Sequence, residues 1–343
     1  MSDLRSTGDP ALDADLATLL DDLGASDHRD QLMELFVAAV RAAQGRHDRL
    51  DLKIASAALR EMQSAFAMFA PYSDRPKVTI FGSARTDADD PSYGAAHDVA
   101  ARLAELDWMV VTGAGPGIME AGLAGAGREH AIGVSIRLPF ETEANHVIAG
   151  DEKLVEMKYF FTRKLMLIKE SKGFISLPGG FGTLDETFEL FTLQQTGKAD
   201  PVPIVLLDQP GGDFWTDLDG FIRSTLVADG VVSEHDTGLY LVTDDVEAAC
   251  REVVDFYANF HSIRYVGDRL VVRMNRPLPD DALAAIDRDF RHLVDDGAIE
   301  TTRPLRPEIS TDDVVDLPRI AFRYGRGHYG RLRPLIDRIN AAG

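Results

Sequence analysis

The residues of this chain with the clearest chemical potential lie in Leu177-Pro178-Gly179-Gly180-Phe181-Gly182-Thr183-Leu184-Asp185-Glu186, where a short apolar run gives way to a helical one. Gly179, Gly180 and Gly182 allow the backbone to close around a ligand, and the bare N–H groups at a helix start suit an anion. Thr183 is of a type that both caps a helix and touches a phosphate oxygen. Glu186 then supplies a carboxylate close to whatever that turn holds. Thr183 and Glu186 also have the spacing of a capping box, which offers a purely structural reading in which Glu186 reaches back to the Thr183 N–H. The glycine cluster favours a ligand site, because a plain helix start has no need of three glycines in four positions.

Two more turns are of the same kind. Phe81-Gly82-Ser83-Ala84-Arg85 ends an apolar run with a tight turn in which Ser83 and Arg85 are able to face an anion. Thr112-Gly113-Ala114-Gly115-Pro116-Gly117-Ile118 opens a helix whose positive dipole end suits a phosphate. The spacing of Gly113, Gly115 and Gly117 is not the dinucleotide fingerprint, and the next strand ends at Arg137 with no acid placed for a ribose 2′-hydroxyl, so a NAD site is not expected. His97, His130, His146 and His235 show no metal-ligand spacing, and no His–Asp constellation surrounds Ser83, so neither a metal nor a serine nucleophile is expected.

These turns need strands and helices to hold them. Apolar runs at Val78–Phe81, Met109–Val111, Ile132–Ile136, Gly173–Leu177, Val202–Leu207 and Gly238–Val242 alternate with helical patterns at Tyr93–Leu106, Ile118–His130, Lys153–Ser171, Leu184–Gln195, Phe214–Val227 and Val246–Phe256. That alternation predicts an α/β fold, a Rossmann-like doubly wound parallel sheet over residues 76–258 with ligands beyond the carboxyl ends of the strands. Residues 1–75 read as an N-terminal helical extension. Residues 259–343 read as a small α+β tail, with β-like stretches at Ile263–Met274 and Arg319–Tyr324 around a helix at Asp281–Val294.

Composition narrows the partners. The formal net charge of -20 opposes a long nucleic acid or an anionic membrane surface, while a small anion is still held by local amides and a few cations. The single cysteine, Cys250, excludes an intrachain disulfide and fits a buried inert thiol. No secretory signal and no stretch of 18 or more apolar residues is read, so a cytoplasmic location is expected.

Pro178 to Glu186 matches the PGGxGTxxE motif of the LOG (Lonely Guy) family, and Arg163-Lys164 matches that family's Arg-Lys pair on the preceding helix. Over roughly Lys77 to Asp208 the chain therefore resembles these phosphoribohydrolases of nucleoside 5′-monophosphates, long mislabelled as lysine decarboxylases. The stretch Met157-Lys158-Tyr159-Phe160-Phe161-Thr162-Arg163-Lys164 looks like the family's longer bacterial branch rather than the short plant type. The resemblance implies hydrolysis of the N-glycosidic bond of AMP or a cytokinin riboside monophosphate-like substrate, with Glu186 and Arg163 catalytic and no metal or redox cofactor. It implies phosphate on Gly179, Gly180, Gly182 and Thr183, assisted by Gly113, Gly115, Gly117 and Ser83, and the base near Met157 and Met119. It also places Lys164, Glu141 and Thr192 at the substrate, with Asn145 near Glu141, and implies a homodimer or larger homo-oligomer. A non-catalytic nucleotide or molybdenum-cofactor carrier of the same fold is the alternative, and a pyridoxal decarboxylase has no readable lysine context.

Overall fold

The computed structural model describes residues 4–138, 144–325 and 329–343. The chain divides into two compact units, residues 1–63 and residues 64–343. The first is helical, with α1 (Pro10–Asp22), α2 (Arg29–Gln44) and the start of α3 (Arg49–Phe69). Asp9 caps α1 by accepting from the Ala11 N–H, and proline stands at the first helical position.

The second unit carries a seven-stranded parallel sheet: β1 (Lys77–Phe81), β2 (Met109–Thr112), β3 (Ala131–Ile136), β4 (Leu154–Met157), β5 (Gly173–Ser176), β6 (Ile204–Leu207) and β7 (Leu241–Thr243), ordered β4-β3-β2-β1-β5-β6-β7. Every residue of β1, β2, β5 and β6 is buried, which is why β6 is a continuous apolar run and the other three carry only an occasional polar residue, such as Thr79 or Ser176, rather than alternating ones. The connecting helices are α4 (Pro91–Glu105), α5 (Ile118–His130), α6 (Phe160–Lys169), α7 (Phe181–Gln195), α8 (Phe214–Phe221) and α9 (Val246–Asp255).

Alternation along the strands decides which helix lies on which face. Val78 and Ile80 of β1 and Ile175 of β5 pack in one core with Val99, Leu103, Ile118 and Val253, so α4, α5 and α9 share that side. Thr79 points the other way and donates to the Leu167 carbonyl of α6 at 3.0 Å. Ser176 and Thr187 of α7 are hydrogen-bonded at 2.9 Å on that same second side. The sheet is thus doubly wound, as its sequence pattern predicts.

Two elements depart from that pattern. Lys153–Ser171 is not a single helix, because Leu154–Met157 forms the parallel edge strand β4 and the helix begins only at Phe160. The predicted strand at Gly238–Val242 is likewise displaced, with a tight helical turn at Glu234–Gly238 before β7.

Beyond α9 a four-stranded antiparallel sheet, ordered β10-β11-β9-β8, is built from β8 (Phe260–Val266), β9 (Arg269–Met274), β10 (Glu300–Thr301) and β11 (Arg319–Arg323). It packs with α10 (Asp280–Asp289), α11 (Arg306–Ser310) and α12 (Leu332–Ala342) around Phe260, Leu270, Ile286, Phe322 and Ile336. Glu308, fully buried, accepts from Arg273 Nη2 at 2.8 Å and from Arg319 Nη1 at 2.5 Å, so one carboxylate joins α11 to two strands.

Candidate active site

At the carboxyl ends of β1 and β5 the chain leaves the sheet in opposite directions, β1 toward α4 on one face and β5 toward α7 on the other. Adjacent strands that part in this way open a crevice at the sheet's edge. A cleft of about 820 Å³ lies there, lined by Ser83, Arg85, Gly113, Gly115, Arg163, Glu186 and the Gly179–Thr183 turn among others.

The turn after β1 is wedged between the other two. The Ser83 carbonyl accepts from the Ile118 N–H at 3.0 Å, and a Cβ on Gly117 would stand 2.5 Å from that same oxygen. Gly117 also has φ +67, so only glycine meets both demands. On the opposite flank a Cβ on Gly179 would stand 2.2 Å from Thr183 Oγ1 and 3.1 Å from Ser83 N. Gly180 caps α7 and the helix starts at Phe181, placing the free N–H groups of its first turn at the cleft.

Glu186 and Arg163 meet across this floor. Arg163 Nη2 donates to Glu186 Oε1 at 2.8 Å, and Glu186 is 8% exposed. Burial, the strongest influence, raises the Glu186 carboxyl above the ordinary glutamate range, and the Arg163 charge and hydrogen bond offset only part of that. The Arg163 guanidinium lies over the Phe160 ring, 5.6 Å from its centroid, and would be 3.5 Å from a Cβ at Gly113. Its Nε has no hydrogen-bond partner among the described residues, leaving a donor beside the bound pair. A buried carboxylate with a raised affinity for protons, held by a planar fork of donors, is suited to taking a proton from water next to a bound anion.

The structure brings most of the expected residues together and redistributes others. Ser83, Gly113, Gly115, Arg163, Lys164, Gly179, Gly180, Gly182, Thr183 and Glu186 all line the cleft. Lys164 is turned to Asp185 at 3.1 Å and Glu189 at 2.6 Å. Thr183 does not cap α7, since the helix begins two residues before it, and Glu186 is committed to Arg163 rather than to a capping box. Met157 is 1% exposed within β4 and is absent from the lining, so Met119 is the methionine that faces the cleft. Gly117 acts beneath the turn as a packing glycine rather than in the lining. Thr192 is exposed, donates to the Phe188 carbonyl at 2.8 Å, and borders a separate shallow groove along α7. Glu141 lies outside the described residues.

Asn145 is buried and holds the second glycine-rich turn. Its N–H donates to the Ala114 carbonyl at 2.9 Å and its Nδ2 to the Gly115 carbonyl at 2.9 Å. It thereby braces a turn in which Ala114 holds φ +57, a conformation costly for a residue with a Cβ. Sequence reasoning missed Phe160, Phe181 and Phe214 in the lining. Only the unusual exposure of apolar rings, invisible in one dimension, marks them.

Residues 116–253 match the family model described as "Possible lysine decarboxylase". Among curated proteins, the "Probable cytokinin riboside 5'-monophosphate phosphoribohydrolase LOG6" of Arabidopsis thaliana is 36% identical over 144 residues, covering 40% of this chain and 70% of that protein. The "Cytokinin riboside 5'-monophosphate phosphoribohydrolase" of Mycobacterium tuberculosis is 32% identical over 162 residues, covering 46% of this chain and 82% of its own length. Among solved structures, the molybdenum cofactor binding protein of Rippkaea orientalis aligns at a TM-score of 0.36 and 18% identity, over 50% of this chain and 91% of that one. The identity and coverage of these relatives show that this chain belongs to the LOG family.

Proposed function

We propose that the protein hydrolyses the N-glycosidic bond of a nucleoside 5′-monophosphate to free base and ribose 5-phosphate. The observation that carries this reading is the buried Arg163–Glu186 pair, 2.8 Å apart, facing the same cleft as the glycine-rich start of α7. The curated names of the relatives point to the same reaction.

In this reading the 5′-phosphate rests on the first-turn amides of α7 and on Thr183, with the Gly113–Gly115 turn alongside. Glu186 then lies where positive charge builds on the ribose as the C1′–N bond lengthens, and its carboxylate takes a proton from the attacking water. Oxygen bonds to C1′, the bonding pair leaves with the base nitrogen, and the proton passes to the base. Arg163 orients the carboxylate, and its planar guanidinium lines the cleft where the ribose hydroxyls would lie. A carrier protein has no use for such a pair. The homo-oligomer implied by the resemblance is part of the proposal. Phe160 and Phe181 in the cleft lining stay 56% and 93% exposed, and a strictly monomeric active species would count against it.

The test is a panel of 5′-monophosphates incubated with purified full-length protein, with free base measured by chromatography. Release of base and ribose 5-phosphate in equal amounts from at least one of them is expected. Tight binding without release from any of them would overturn the reading.

A further inference from the structure

Among the described residues, the charges around the cleft are almost fully paired off. Arg163 is held by Glu186, and Lys164 by Asp185 and Glu189. Glu156, on the β4 side, is held by Arg137. Among the described residues lining the cleft, Arg85 is the cation with no carboxylate in ion-pair range. In a chain of net charge -20, an unneutralised guanidinium at a concave site is a strong local departure from the surrounding field.

Its backbone fixes where that charge originates. The Arg85 N–H donates to Ser83 Oγ at 3.1 Å, so the hydroxyl of Ser83 is used as an acceptor and its own proton is left to donate. Ser83 N in turn lies against Gly179, at the turn that opens α7. Arg85 therefore stands two residues from the contact between the β1 turn and the phosphate turn. A phosphate monoester, carrying close to two charges at neutral pH, is not balanced by helix-end amides alone.

We propose that Arg85 is the specificity residue for the phosphate, pairing with the 5′-phosphate of the substrate and with that of the ribose 5-phosphate product, while the Ser83 hydroxyl donates to the same group. This rests on the function proposed above for the cleft, and it assigns to the β1 turn the distinction between nucleotides and unphosphorylated nucleosides.

The test uses ribose 5-phosphate as the probe, because its binding is read without turnover. Calorimetric titration of wild type, R85A and R85K should show the dissociation constant of R85A raised about 10- to 100-fold, the range of a charge-assisted hydrogen bond, with R85K recovering part of the loss. The KM for AMP should rise by a similar factor, with kcat changed far less, since Arg85 does not touch the reacting carbon. Arg85 is exposed, so circular dichroism of R85A should match wild type. Unchanged affinity for ribose 5-phosphate in R85A overturns the proposal even if base is released. Arg85-dependent affinity without base release from any monophosphate upholds it and overturns the hydrolase reading instead. Failure of wild type to bind ribose 5-phosphate or AMP overturns both.

Discussion

In the proposed reaction Glu186 is the base, and its environment makes a pH signature. Its carboxyl is raised mainly by burial, against the pull of Arg163, so its charged form is completed only above the ordinary glutamate range. A base that must be ionised loses activity as pH falls through that raised value. The acid limb of kcat/KM is therefore expected above the usual carboxylate range and at least 100-fold slower turnover, about the lower bound for a positioned base, is expected for Glu186→Gln. A Glu186→Gln profile that keeps the wild-type limb would show that another group titrates there. The same shift bears on stability with the opposite sign from a salt-bridged acid, because a raised carboxyl favours the folded state at low pH and loses that contribution as pH rises through the folded value.

At the scale of the elements, the start of α7 combines a turn that has no spare room with a helix that has some. A Cβ at Gly179 meets Thr183 Oγ1 and backbone at Ser83, whereas one at Gly182 meets nothing within 4 Å. Gly182 lies inside α7, where alanine is favoured by about 1 kcal/mol. Gly182→Ala is thus expected to raise the thermal midpoint while raising KM, because the added methyl enters the cleft. Gly179→Ala is expected to lower it by the equivalent of about 1–3 kcal/mol of overpacking. Differential scanning fluorimetry and initial rates together check both, and equal midpoint shifts would contradict the distinction. Much of this architecture was legible beforehand. Buried strands such as Ile204–Leu207 read as unbroken apolar runs because helices cover both faces. Edge strand β4 did not, because Leu154-Val155-Glu156-Met157 is short, half-exposed and runs into a helix two residues later. The three glycine-rich turns were readable from their residue types, but the Asn145 brace and the Arg137–Glu156 pair were not, since neither follows from sequence spacing.

At the scale of the molecule, the antiparallel sheet is fastened by an acid between two cations. Burial alone would raise the Glu308 carboxyl, yet the Leu305 N–H, Arg273 and Arg319 together hold it below the ordinary range. Its contribution to stability is accordingly complete above the unfolded value and is lost as pH falls through the folded one. Glu308→Ala leaves Arg273 and Arg319 buried without their shared counter-charge and is expected to destabilise by about 3–5 kcal/mol. Urea titrations of the two proteins measure this, and a loss under 1 kcal/mol, about the median for an exposed pair, would show the cluster to be solvated. The strand order has a consequence of its own. Val78 in the middle of the seven-stranded sheet finds its second neighbour only at Gly173. During synthesis β1 therefore waits with one bare margin until that later stretch leaves the ribosome. A nascent chain halted before residue 173 carries an open ladder of amides and carbonyls and only half of its crevice, which makes stalled fragments prone to clumping.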